Sequence, residues 1–206
     1  MVSNRLNKCI SQVYNLSRKN KNETILIWIF LDSDRINSYK KFINLIPSSR
    51  KIGIIFRSKE IVKEYCRAKE LLKICRKKKF TFLISSSYII AKSIGADGVH
   101  YPNAYRYCRK DKKILITCSC HGFKDVKRIK QLHANVVFIS SIFLTNSDIN
   151  KKEIGIIKIS FLANYLKTQY SVLGGVRENN IRFLRNRSIN SISGLDVIFD
   201  IIKNKC

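Results

Sequence analysis

The sequence predicts a (β/α)8 barrel, a TIM barrel folded as a single compact domain, and three observations carry that prediction. Eight short apolar runs recur along the 206 residues, at 24–31, 51–56, 80–84, 98–101, 113–118, 135–140, 170–173 and 189–193. The runs are continuously apolar rather than alternating, which marks strands buried on both faces by crossover helices. Residues 80–101 read strand, helix, strand with almost nothing between, and so compact a unit requires parallel neighbours joined by a right-handed crossover.

Taken in order, residues 1–23 are polar and basic without an apolar core, and we set them apart as a basic N-terminal segment preceding a barrel over 24–206. The clearest helix follows the second strand. Between Glu60 and Lys79 the residues Ile61, Tyr65, Ala68, Leu72 and Cys75 repeat at three or four and share one face. Tyr88 to Ile94 forms the next helix, and Gly95 ends it, since a helix C-terminus often takes a left-handed residue. The strand that follows carries His100 at its C-terminal end, where parallel sheets meet their ligands. Continuing this alternation gives eight strands and eight helices, with no Gly-, Pro- or Ser-rich linker to divide them.

Lys and Arg total 40 against 14 Asp and Glu, a formal charge of +26. Such a balance is compatible with weak, non-specific binding of polyanions; it is also what heavy use of Ile, Lys and Asn in an AT-rich genome produces. The basic runs 76–79, 109–113 and 203–205 are expected at helix C-termini, where positive charge suits the macrodipole, on the face opposite the expected active site. The cysteine number is odd, seven, with no CxxC and no secretory leader, so a cytoplasmic location is expected. No run approaches the roughly 20 apolar residues of a membrane span, so no membrane partner is expected. Cys118 and Cys120 flank Ser119 in front of His121, but alternation along a strand separates His121 from them and gives no zinc site.

Five motifs, in order, make the chain resemble the thiamine phosphate synthase/TenI superfamily. They are the strand end Arg57-Ser58-Lys59, the segment Gly95-Ala96-Asp97-Gly98-Val99-His100, the strand end Thr117 to His121, the loop Phe143-Leu144-Thr145, and the diglycine Gly174-Gly175. The family joins a pyrimidine pyrophosphate to a thiazole phosphate with loss of pyrophosphate. By that resemblance Arg57, Lys59 and His121 are the candidate catalytic groups. His100, Ser119, Thr145, Gly174, Gly175, Ser193 and Gly194 are the candidate contacts to a small phosphorylated ligand. Glycines suit that role because backbone must approach the anion closely.

The resemblance also implies a magnesium ion held by two Asp residues, and here the sequence departs. Ser86 and Tyr105 stand at those positions. Magnesium favours carboxylate or phosphate oxygens in near-ideal octahedral geometry, which serine and tyrosine do not supply. No metal site and no tightly bound cofactor are therefore expected. Ser140 and Ser141 stand where the TenI tautomerases place a histidine. The counterparts Gly53 to Arg57, Ala96 to Pro102 and Cys118 to Gly122 are similar to a divergent alphaproteobacterial branch whose members also lack the paired carboxylates. Two functions stay open: a protein of thiamine biosynthesis with a degenerate metal site, or a catalytically silent module engaging RNA or another polyanion.

Overall fold

The computed structural model describes residues 2–16, 25–32, 36, 38–106, 111–144, 153–185 and 189–202. Helix α1 (Val2–Tyr14) leads into β1 (Ile27–Asp32), α2 (Tyr39–Leu45), β2 (Ile52–Arg57) and α3 (Tyr65–Lys77). The chain continues through β3 (Thr81–Ser85), α4 (Tyr88–Ile94), β4 (Gly98–Tyr101), β5 (Leu115–Cys120) and α5 (Val126–Leu132). It ends with β6 (Val136–Ser140), α6 (Ile156–Leu166), β7 (Gln169–Leu173), β8 (Ser191–Ser193) and α7 (Asp196–Ile202). Every strand pairs in parallel with its sequence neighbour, and β1 closes on β8 to complete the barrel. The predicted fold is therefore the observed one.

All eight predicted strands form, with ends displaced by at most three residues. The eight-helix expectation needs correction. Seven α-helices occur among the described residues, and one of them, α1, precedes β1. No described residue after β4 is helical before β5, where Pro102 and Asn103 follow the strand at once. Between β7 and β8 the described residues form only a 3-10 turn, Ile181–Leu184. The helix expected over 60–79 begins at Tyr65, after a run of turns.

Residues 2–14 do more than precede the barrel. Val2, Leu6, Cys9 and Val13 recur every three or four positions and bury one face of α1 in the main core, where the helix packs on β8 and α7. Each fully buried Leu or Val of this kind contributes about 1.5–3 kcal/mol.

Inside the barrel, alternate residues of each strand point inward. Trp28, Phe30, Ile55, Leu83, Val136 and Phe138 form a core separate from the one beneath the helices. Trp28 and Phe30 each meet Phe138 edge to face, at 5.5 and 5.1 Å between ring centroids. Room for the indole comes from Gly53 on β2, where any Cβ would overlap the Trp28 ring. Around and above this aromatic plug the interior turns polar, with Ser85 on β3, His100 on β4, Ser119 on β5, Ser140 on β6 and Ser193 on β8.

Candidate functional site

The C-terminal ends of the strands carry most of the predicted residues, and the structure sorts them into buried and accessible groups. Arg57 ends β2 opposite Asp32, the last residue of β1, and the register of the two strands brings them into an ion pair. The guanidinium is half-exposed and so faces the solvent side of the site. Lys59 lies two residues on, exposed in the turn that leads to α3.

His100, a candidate ligand contact, is buried in the barrel interior. It is 1% exposed and wedged edge to face against Phe30 and Phe138, at 5.3 Å from each. Its Nδ1 lies 3.0 Å from the Thr117 hydroxyl and its Nε2 3.1 Å from that of Ser119. Thr117 directs its hydroxyl toward the Val99 carbonyl at 3.5 Å, so it accepts from His100 Nδ1–H, and Nε2 in turn accepts from Ser119. In that tautomer the Ser119 proton points at the imidazole rather than at a ligand. Burial, and then the positive charges of Arg57 and Arg128, push the His100 pKa down to about 3, so the ring is neutral.

His121 follows the end of β5 and is half-buried. Its Nδ1 approaches the Ser140 carbonyl at 3.3 Å and the Ser140 hydroxyl at 3.1 Å. A carbonyl can only accept, so this contact favours the proton on Nδ1. The His121 backbone N–H donates to Asp125 at 2.7 Å, and Asp125 lies 3.6 Å from the buried Arg128. Arg128 donates to the carbonyls of Ser119 and Tyr105, which joins the end of β5 to the segment after β4. None of Asp32, Asp125 and Arg128 was anticipated from the sequence. A charged residue on the apolar stripe of α5, beside Ile129 and Leu132, is the signal that could have found Arg128.

Of the predicted phosphate contacts, Gly174 and Gly175 adopt left-handed φ of 99° and 66°. They pack on the loop after β6: a Cβ at Gly174 would lie 2.9 Å from Ser141 Cβ, and one at Gly175 would overlap the Leu144 carbonyl oxygen. Glycine is thus required twice, for conformation and for space. Beside Gly175 lies a shallow depression of about 460 Å³ whose wall includes Phe143, Arg177, Asn180 and Arg182, with Glu153 as its one acidic group. The sequence reading missed both arginines. Ser193 is fully buried, 2.6 Å from the Ser171 hydroxyl, and also donates to the Val172 carbonyl. Gly194 has open space above it, but its N–H is taken by the Trp28 carbonyl at 3.0 Å. Thr145 lies outside the described residues.

The two positions left without carboxylates stay poor metal ligands in three dimensions. Ser86 has a left-handed φ of 71°, donates its N–H to the His100 carbonyl at 2.8 Å, and places its hydroxyl 3.4 Å from that of Ser85. Tyr105 packs its ring on Tyr101 at 5.5 Å. Among the described residues no three His, Cys, Asp or Glu groups converge as a metal site, and these donors do not fit magnesium. Cys118 and Cys120 are buried outside the barrel wall, and no described helix is long and apolar enough to cross a membrane.

Comparison with known proteins agrees with this architecture. The family described as thiamine monophosphate synthase matches residues 33–198. The thiamine-phosphate synthase of Fusobacterium nucleatum is 25% identical over 182 residues, 82% of this chain and 88% of the relative. A probable thiamine biosynthetic bifunctional enzyme of Schizosaccharomyces pombe is 29% identical over 150 residues, 66% of this chain but only 29% of that longer protein. Among solved structures, a thiamine phosphate pyrophosphorylase from Pyrococcus furiosus superposes with a TM-score of 0.68 at 15% identity, covering 87% of this chain and 94% of that one.

Proposed function

We infer the function from one premise: this chain belongs to the thiamine monophosphate synthase family. It binds a thiazole phosphate, or a closely related phosphorylated ligand, at the C-terminal face of the barrel, and it turns over poorly because its magnesium site has decayed. The observation that carries this reading is the depression beside Gly175, where Arg177 and Arg182 stand next to a left-handed diglycine turn. Guanidinium forks and closely approaching backbone are what a phosphate monoester needs.

Arg57, Lys59 and His121 are then the remaining polar groups around the opposite side of the barrel mouth. In the family reaction they would face a departing pyrophosphate, whose charge demands preorganised positive groups. Arg57 supplies one, already partly neutralised by Asp32. His121, held by Ser140 and by the Asp125–Arg128 pair, is a donor or acceptor of fixed orientation. The carboxylates that would hold a metal are missing, and no step is assigned to one. Losing a preorganised charge-stabilising group of this sort costs about 2.7–4 kcal/mol, or 10²–10³ in rate.

Two measurements test the reading. Calorimetric titration with thiazole phosphate should detect binding that an Arg177→Gln, Arg182→Gln chain loses; equal binding by that variant would remove the site from the depression. Coupling of pyrimidine pyrophosphate to thiazole phosphate should be slow and nearly indifferent to chelator in the parent. A Ser86→Asp, Tyr105→Asp chain should gain magnesium dependence, and Asp tolerates the left-handed backbone at position 86 better than most residues. Fast, magnesium-dependent coupling by the parent would refute the decayed site.

A further inference from the structure

The opposite end of the barrel holds a second concentration of positive charge that the functional reading does not use. Arg50 and Lys51 precede β2, Lys79 precedes β3, and Arg76 ends α3. With Ile25, Phe80, Thr81 and Asp97 they line a cavity of about 470 Å³ at the N-terminal ends of β1 to β4. Four cationic side chains therefore converge against one carboxylate. None of the four is ion-paired among the described residues, whereas Lys40, Lys63, Arg67 and Lys92 elsewhere all are.

Helix C-termini account for only half of the cluster: Arg76 lies in the last turn of α3 and Lys79 just beyond it, whereas Arg50 and Lys51 serve no helix end. Lys78 serves the C-terminus of α2, donating to the carbonyls of Asn44 and Ile46 at 2.7 and 2.5 Å, and lies outside the cavity. Arg76 donates one nitrogen to the Gly95 carbonyl at 2.9 Å, which fixes its guanidinium at the rim and leaves its other donors to the cavity. Asp97 accepts the Phe82 N–H at 2.7 Å, and the four cations of the rim face this single carboxylate. Thr81 adds a hydroxyl, and Ile25 with Phe80 closes an apolar wall. Gathering unpaired like charges at one mouth costs the free protein energy that a bound anion returns.

We propose that this cavity is a binding site for a small anion carrying two or more linked phosphates, separate from the site at the opposite end of the barrel. Two arginine forks and two lysines match several phosphate oxygens better than a single monoester. The open cleft, closed on one side by Ile25 and Phe80, suits a small molecule better than an extended nucleic-acid strand. The proposal does not depend on the reading given for the opposite face.

The test is titration of the full chain with inorganic tripolyphosphate at 0.15 M salt, followed by amide chemical shifts. Arg50→Gln, Lys79→Gln should weaken binding at least about tenfold, with shifts in the parent centred on Thr81 and Asp97. Lys130→Gln, at an exposed lysine of α5 that belongs to neither site, should leave those shifts and that affinity unchanged. Unaltered affinity in the Arg50→Gln, Lys79→Gln chain overturns the proposal. So does a loss confined to Arg57→Gln, which would put the anion at the opposite face. Tighter capture of a uridine oligonucleotide than of tripolyphosphate, abolished by the same two substitutions, would overturn it in favour of a nucleic-acid surface.

Discussion

Acid should unfold this protein partly through His100. The ring is 1% exposed, makes both of its hydrogen bonds to hydroxyls, and is held neutral with a pKa near 3 against the ordinary 6.5. Below pH 6.5 the unfolded chain binds a proton at this residue that the folded chain does not, so stability rises with pH through this window and falls as pH drops. The contribution is fully present above 6.5 and is lost progressively toward pH 3. At about 1.4 kcal/mol per unit, lowering the pH from 7 to 5 should cost about 2 kcal/mol through this group. The assay is urea denaturation at half-unit steps from pH 7.5 to 4.5, on the parent and on His100→Asn. The variant should lose about 1–3 kcal/mol at pH 7 from its unsatisfied hydroxyl partners, then hold steadier as the pH falls. All other titrating groups are common to both chains, so the difference between the two curves isolates His100. Parallel curves would refute a neutral, buried imidazole at this position.

Two further outcomes follow from the same geometry. Arg128→Met should destabilise the fold by about 3–5 kcal/mol in denaturant, because it leaves the buried Asp125 carboxylate and the Ser119 and Tyr105 carbonyls without their cation; a loss below about 1 kcal/mol would show that the pair is dispensable. Among the described cysteines only Cys66 should react promptly with a maleimide in the native state, read by peptide mapping: it is exposed, whereas burial holds the Cys9 and Cys75 thiols near a pKa of 12 and that of Cys120 near 11.

The sequence disclosed the barrel because a parallel strand buried on both faces has no alternation to disguise it. Runs such as Ile52 to Phe56 and Val136 to Ser140 can only be core. Helices were less legible wherever the pattern was sparse. In α1 the four buried positions are separated by Ser, Asn, Arg, Lys and Gln with Ile10 as the one apolar exception, so a search for a continuous apolar run passes over them. Between β4 and β5 the rule of strict alternation predicted a helix that no described residue forms, since local chemistry after Tyr101 overrides the periodicity of the fold.

The site was legible only where one residue type implies one backbone need. Gly174 and Gly175 satisfied that condition, and both take the left-handed conformation. Charged partners did not, because Asp32 and Arg57 are 25 residues apart in sequence and meet through strand register alone. His100 shows the deeper reason. Strands in a closed barrel are staggered, so distance from a strand's end does not give height in the barrel. The sequence places His100 near the end of a four-residue strand, which suits either a ligand contact at the mouth or a hydrogen-bonded packing histidine. Strand β4 is short, and its register pairs His100 with Ser85 on one side and Thr117 on the other. That puts the ring among Phe30 and Phe138, inside the aromatic plug. The neighbouring strand β5 runs higher, and so His121, only four residues beyond Thr117, emerges at the mouth. Barrel shear thus buries His100 and leaves His121, which follows the end of its strand, at the mouth.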